Sequence, residues 1–118
     1  VYQDVDGFDQ AALHVMGYLP ASGEPQLICY SRLIPPGLKY EGASIGRVAT
    51  KKSERGGGNG KTLMVNSLAF CKDYWPDTAI TISAQQYLQQ FYTELGFETL
   101  SEPYDEDGIP HIRMQLNP

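Results

Sequence analysis

The sequence predicts a mixed α/β fold, in which a mostly antiparallel sheet carries helices on both faces. Short alternating apolar runs recur along the 118 residues, and two longer stretches carry apolar residues at helical spacing between strand patterns. Because a helix that joins two strands favours a right-handed parallel crossover, we expect one parallel strand pair. The predicted order is β-β-β-α-β-α-β-β in a single domain over residues 1–118.

Three strands are predicted before the first helix. Residues 12–19 alternate in character, with Leu13 facing one way and His14 the other. Residues 26–34 form a second apolar run, and the turn rich in proline and glycine between the two runs predicts an antiparallel hairpin. Residues 45–50 form a third strand that leads into a glycine-rich loop.

Helices and strands alternate in the second half of the chain. Residues 61–75 carry apolar residues at helical spacing until Pro76, and Gly96 is placed to end a helix over residues 86–95. Residues 102–110 are acidic and turn-rich. The remaining strand patterns are residues 79–84, 97–100 and 111–116.

Composition argues against several classes of function. A formal net charge of −5 argues against a nucleic-acid partner, which requires a basic surface. The sequence has no signal peptide and no apolar run long enough to cross a membrane, so we expect a cytoplasmic protein with no membrane partner. Cys29 and Cys71 lie in apolar runs without metal-ligand spacing, which predicts buried thiols and no metal site.

The most informative stretch joins the third strand to the first helix. Residues 51–60 are charged and glycine-rich, and the helical pattern begins near Lys61. Glycines allow positive φ, so successive N–H groups can converge on an anion, and the helix start adds the positive end of its dipole. The stretch therefore predicts a phosphate-binding site. The basic residues around it are Arg47, Lys51, Lys52, Arg55 and Lys61.

Two phosphate-binding motifs compete for this stretch. The P-loop pattern G-x-x-x-x-G-K-[ST] matches at Gly60-Lys61-Thr62, but Arg55 occupies the position of its first glycine. The pattern Arg/Gln-x-x-Gly-x-Gly/Ala is filled at every required position by residues 55–60, which read RGGGNG. Further along, residues 91–97 read FYTELGF and fit the pattern F-Y-x-x-x-G-F in the same order and separation.

The RGGGNG and FYTELGF motifs, together with residues 2–7, 30–37 and 102–112, resemble the ElaA-type branch of the GNAT acetyltransferases. The resemblance covers essentially the whole chain. The resemblance implies a GNAT-type sheet whose parallel strand pair splays apart to hold acetyl-CoA. Family members have a leading strand and helices before the position of Val1, so we expect this chain to lack the N-terminal part of the domain.

The resemblance implies an N-acetyltransferase that transfers acetyl from acetyl-CoA to a primary amine by direct attack in a ternary complex. A backbone N–H near Val48 would stabilise the oxyanion, and the Tyr92 hydroxyl would protonate the departing thiolate. Gln85 stands where many members have a cofactor-binding asparagine. The implied cofactor-binding residues are Val48, Ala49, Thr50, Arg55, Gly56, Gly57, Gly58, Asn59, Gly60, Lys61 and Gln85.

Several assignments stay open at this point. His111 serves either as a hydrogen-bonded structural residue or in acceptor binding, and no general base can be chosen from the acidic residues beside it, which are Glu102, Asp105, Glu106 and Asp107. The alternative functions are a non-catalytic acyl-CoA-binding module, in which Tyr92 only packs, and, less favoured, a P-loop-like nucleotide binder. The sequence does not identify the acceptor amine and leaves a homodimer open.

Overall fold

The structure, a computed structural model, describes residues 10–19, 26–51 and 58–118. A 3₁₀ turn, Gln86–Leu88, leads into α2. The helices are α1 (Asn59–Tyr74) and α2 (Gln89–Glu94). The strands are β1 (Leu13–Leu19), β2 (Gln26–Ile34), β3 (Ala43–Thr50), β4 (Ile80–Gln85), β5 (Glu98–Thr99), β6 (Tyr104–Glu106) and β7 (Ile109–Leu116).

The strands form one seven-stranded sheet in the order β1-β2-β3-β4-β7-β5, with β6 paired to β7. β3 and β4 pair in parallel, and the other pairs are antiparallel. The predicted class, a mixed and mostly antiparallel sheet with helices and one parallel pair, is therefore confirmed. Within the described ranges, neither helix is both long and apolar enough to cross a membrane.

The parallel pair splays apart after a short contact. β3 and β4 are in register only at Ala43 with Ile80 and at Ser44 with Thr81. Beyond these positions β3 continues against β2, and β4 continues against β7. The sheet therefore opens between the C-terminal halves of the two central strands, as the resemblance implies. We call this gap the β3–β4 opening.

Gly42 sets the point at which the pair begins. A Cβ atom at Gly42 would lie 2.2 Å from the carbonyl oxygen of Ala79, which also accepts a hydrogen bond from the N–H of Ala43 at 2.9 Å. Because that oxygen belongs to the backbone, we expect Gly42→Ala to lower the free energy of unfolding by about 1–3 kcal/mol. Urea denaturation measures the loss.

The matched control is Gly46→Ala in β3, four residues further along the chain, since an added Cβ there would meet no heavy atom of the described residues within 4 Å. Equal stability of Gly42→Ala and Gly46→Ala would contradict the assignment of Gly42 to this close contact.

Both helices pack on the same face of the sheet. Alternation places Leu33, Ile45, Ile82 and Met114 on this face, where they share one core cluster with residues of α1 and α2. Two polar contacts agree. Ser67 of α1 bonds Ser31 of β2 at 2.7 Å, and the Gln89 amide of α2 donates to Thr99 of β5 at 2.9 Å.

The prediction of helices on both faces is therefore wrong for the described residues. Successive right-handed crossovers that advance in the same direction along a sheet place their helices on one side. We call the side that α1 and α2 cover the helical face, and the other side the open face. Loop residue Tyr40 lies over part of the open face, where its ring centroid is 5.4 Å from the guanidinium of Arg113.

The acidic stretch before the last strand forms a hairpin instead of a simple turn. β6 pairs with β7, so the chain ends with three strands where the sequence predicts two. Asp107 and Gly108 join these strands with φ values of 53° and 79°, the pattern of a type I′ turn. An Asp-Gly pair between extended residues is a strong hairpin signal, and it could have revealed β6.

Candidate active site

The N-terminus of α1 is built without a side-chain cap. Gly58 occupies the N-cap position with φ of 83°, no side chain in the described part of the chain caps the helix, and the first turn contains no acidic residue. The N–H of Thr62 donates to the Gly58 carbonyl at 3.0 Å and begins the helical ladder. An uncapped helix start concentrates N–H donors and positive dipole at one end, so it favours an anion.

Space for a ligand is also present at this helix end. Among the described residues, no heavy atom lies within 4 Å of a Cβ atom placed at Gly58 or at Gly60, and Lys61 is exposed. Asn59 is half-buried beside them. The first half of the predicted cradle, Arg55, Gly56 and Gly57, lies outside the described residues.

A β-bulge alters β3 next to the opening. Tyr30 pairs with Ala49 and Arg32 with Gly46, so two residues of β3, Arg47 and Val48, stand against one residue of β2. Arg47 has a φ of 51°, a left-handed conformation that costs a non-glycine residue about 1 kcal/mol. Bulges bend a strand and redirect its backbone groups. The bulge therefore includes Val48, whose backbone N–H is predicted to stabilise the oxyanion.

The remaining residues of this strand end border the same opening. Val48 is 37% exposed, Ala49 is exposed and Thr50 is half-buried. On the other side of the opening, Gln85 ends β4, is half-buried and lies opposite His111 of β7. Gln85 also precedes the 3₁₀ turn without capping it through its side chain.

Tyr92 lies on the helical face inside an aromatic cluster. Its ring meets Phe91 and Phe97 edge to face, with centroids 5.1 Å and 5.7 Å away, and only 7% of the residue is exposed. Burial raises the pKa of the Tyr92 hydroxyl, and the nearby Tyr87 raises it further. The hydroxyl therefore holds its proton at neutral pH, as a proton donor must.

His111 belongs to a polar network on the open face. Its Nδ1 bonds the Ile109 carbonyl at 2.8 Å, and its Nε2 lies 3.3 Å from a carboxylate oxygen of Glu106. The Ser83 hydroxyl donates to the other Glu106 oxygen at 3.1 Å and bonds the Tyr104 hydroxyl at 2.5 Å. We call Ser83, Tyr104, Glu106 and His111 the open-face network.

The structure distinguishes by their contacts the acidic residues among which the sequence could not choose. Glu106 contacts His111, whereas the Asp105 carboxylate accepts the N–H of Gly108 at 3.2 Å within the hairpin turn. Glu102 is exposed. Ser83 and Tyr104 were missed by sequence reasoning, because their link to His111 depends on strand register and on β6.

Cys71 is unsuited to act as a nucleophile. Cys71 is 2% exposed in the core, and burial raises the pKa of its thiol to about 12. A thiol with such a pKa stays protonated and unreactive at neutral pH. Cys29 is half-buried, and both cysteines are free. The expectation of a buried thiol is confirmed for Cys71 and wrong for Cys29, since the β2 strand leaves Cys29 partly accessible.

Comparison with known proteins defines the class. A family model described as "Acetyltransferase (GNAT) domain" matches residues 26–118. Protein ElaA of Escherichia coli is 38% identical over 115 residues, which cover 96% of this chain and 72% of ElaA. The chain therefore belongs to the GNAT acetyltransferase family, and acyl transfer is its class of reaction.

Solved structures agree with this membership. An acyl-CoA N-acyltransferase from Pseudomonas aeruginosa superimposes with a TM-score of 0.86 at 39% identity, covering 98% of this chain and 76% of that one. The crystal structure of E. coli ElaA gives a TM-score of 0.83 at 36% identity, with the same coverage. A Bacillus subtilis acetyltransferase in complex with CoA shares the fold at 20% identity and a TM-score of 0.72, covering 96% of this chain and 81% of that one.

Proposed function

We propose that this protein is an N-acetyltransferase that transfers the acetyl group of acetyl-CoA to a primary amine by direct attack in a ternary complex. One observation carries the proposal. The β3–β4 opening lies between the two strands that α1 connects, and the N-terminus of α1 has no side-chain cap and no acidic residue. Such an arrangement offers a slot for an extended thioester and an anion-binding helix end for its pyrophosphate.

The cofactor would lie along the bulged end of β3. Its pyrophosphate would contact the loop and helix start from Arg55 to Lys61, including Gly56, Gly57, Gly58, Asn59 and Gly60. Its amide-rich arm would pair with the backbone of Val48, Ala49 and Thr50 like an added strand, since this edge of β3 no longer pairs with β4. Gln85 would contact the arm from the opposite side. This placement would bring the thioester carbonyl to the Val48 N–H.

Tyr92 would then protonate the departing thiolate. Its elevated pKa, caused mainly by burial, supports this role because the hydroxyl remains protonated until the sulfur needs the proton. Tyr92 shares the core cluster with Ile82 and Ala84, both on the splayed part of β4. The hydroxyl group is thus carried by an element that packs against the wall of the opening.

A screen of primary amines with acetyl-CoA tests the proposal. Release of free CoA thiol, followed with a thiol-reactive dye, should require both the protein and an amine, and mass spectrometry should find the acetylated amine. A protein that binds acetyl-CoA but acetylates no amine would favour the non-catalytic acyl-CoA-binding module. The matching blank is each amine with acetyl-CoA alone.

A further inference from the structure

We propose that the open-face network is the acceptor site of this enzyme, in which Glu106 binds the ammonium group of the substrate and His111 accepts its proton. This inference rests on the proposed function, because it assigns a role in amine acetylation. It assigns a general base to an otherwise unassigned step, and it places that base on the β6–β7 hairpin.

The hydrogen bonds of His111 leave one nitrogen available for a proton. A carbonyl oxygen can only accept, so the bond to Ile109 places a hydrogen on Nδ1. In the neutral ring, Nε2 then carries the lone pair and faces the Glu106 carboxylate at 3.3 Å. A proton received at Nε2 during the reaction would be donated in a charge-assisted hydrogen bond to this carboxylate.

Glu106 and His111 differ in solvent exposure, which indicates a different role for each. The side chain of Glu106 is 49% exposed, whereas that of His111 is 9% exposed behind it. A cation that approaches from solvent therefore contacts the Glu106 carboxylate first, and the carboxylate holds it next to the His111 imidazole. Ser83 and Tyr104 hold the network in place, since Ser83 donates to Glu106 and the Tyr104 ring lies over the His111 ring with centroids 6.4 Å apart.

The location of the network fits an acceptor site. Ser83 belongs to the part of β4 that has separated from β3, and the neighbouring Gln85 pairs with His111. The network lies on the open face, whereas Tyr92 packs on the helical face. The amine and the proton donor for the sulfur would thus approach a thioester in the opening from opposite sides of the sheet.

Charge around the hairpin supports a cationic ligand. Asp105 and Asp107 flank Glu106 in the hairpin and are exposed, and the cationic group on the same face of β7, Arg113, lies against the ring of Tyr40. Clustered acidic groups raise the local concentration of cations. A primary amine is protonated at neutral pH, so it arrives in the form that this surface attracts.

The proton balance of the step is complete. The ammonium group gives its first proton to Nε2 of His111, and the neutral nitrogen attacks the thioester carbonyl carbon. A C–N bond forms, the C–S bond breaks, and the thiolate takes the proton of Tyr92. The nitrogen loses a second proton, which restores the Tyr92 hydroxyl through solvent, and His111 releases its proton to bulk water. The products are the amide, CoA thiol and one proton.

The kinetic test is Glu106→Gln, with Glu102→Gln as the matched control. Both changes remove one carboxylate near the hairpin, but only Glu106 contacts His111. We expect Glu106→Gln to lower kcat/KM for the amine by about 100-fold, because the ammonium group loses the carboxylate that holds it beside Nε2 of His111, the general base of the step. Its affinity for acetyl-CoA in calorimetry should stay unchanged, and Glu102→Gln should behave as wild type in both assays.

A binding measurement separates this inference from the proposed function. Butylamine, but not butanol, should shift the His111 imidazole signals in NMR spectra of the wild-type protein, and Glu106→Gln should abolish the shift. Amine binding at His111 without any acetyl transfer would contradict the proposed function and support only the amine-binding role of the open-face network. Normal turnover in Glu106→Gln, or butylamine shifts that leave His111 unaffected, would overturn the acceptor site and leave the proposed function standing.

Discussion

Gly60→Asp should strongly weaken acetyl-CoA binding while the protein remains folded. Gly60 lies in the first turn of α1, and a Cβ atom added there would have no heavy atom of residues 10–19, 26–51 and 58–118 within 4 Å. The new carboxylate would lie at the helix end that is assigned to the pyrophosphate, and the two negative charges would repel each other. Charge effects at helix termini reach about 2 kcal/mol, so affinity should fall about 30-fold or more.

Stability should move in the opposite direction. An acidic side chain in the first turn stabilises a helix by about 0.3–1 kcal/mol, because it faces the positive end of the dipole. We therefore expect Gly60→Asp to unfold at an equal or higher temperature than wild type. Binding is measured by calorimetry and Tm by circular dichroism.

The uncharged isostere provides the control for Gly60→Asp. Gly60→Asn adds nearly the same volume without the charge, so it isolates the contribution of steric approach. Acetyl-CoA binding at wild-type strength in Gly60→Asp would sink the assignment of the α1 N-terminus to the pyrophosphate.

Tyr92→Phe should reduce turnover by about 100-fold or more, the usual size of a general-acid contribution, with little change in acetyl-CoA affinity. The phenyl ring keeps the edge-to-face packing against Phe91 and Phe97, so the fold should survive. Only the hydroxyl that would protonate the thiolate is lost. Steady-state kinetics with a saturating amine measures kcat, and calorimetry measures cofactor affinity.

Tyr87→Phe is the matched control for Tyr92→Phe. Tyr87 lies a few residues earlier and is 77% exposed, so the same atom is removed from a side chain outside the core. Unchanged turnover in Tyr92→Phe would make Tyr92 a packing residue and would favour the non-catalytic module.

The pKa of Tyr92 also predicts a pH dependence. Because burial raises this pKa above the unfolded value of 10.0, the folded state keeps the proton that the unfolded state loses. Stability from this group is complete below pH 10.0 and is lost as the pH rises through the folded pKa. Denaturation midpoints of Tyr92→Phe should therefore fall less steeply than those of wild type in this alkaline range.

Local patterns predicted much of the fold. Residues 26–34 match β2 at both ends, because a turn precedes the apolar run and prolines follow it. Gly96 ends the second helical region with φ of 104°, as its position after the apolar stripe predicts. Such features depend on neighbouring residues, so one sequence contains enough information to find them.

The missed features depend on contacts distant in sequence or on an unusual backbone. The bulge in β3 rests on Arg47 in a left-handed conformation, and nothing in its residue type signals this. The link between Glu106 and His111 depends on the register of β6 with β7, and the shared face of the helices depends on crossover handedness. The sequence shows only that the acidic residues lie close together along the chain. The pairing of β6 with β7 distinguishes Glu106 from the others.

Calorimetric titration with acetyl-CoA, with magnesium ATP as the control ligand, tests the central claim most directly. If the opening between β3 and β4 and the N-terminus of α1 hold an acyl-CoA, acetyl-CoA should bind saturably with one site per chain, and ATP should give no saturable heat. Binding of ATP alone would support the P-loop-like alternative. Binding of neither ligand would contradict the claim that this opening is a cofactor site.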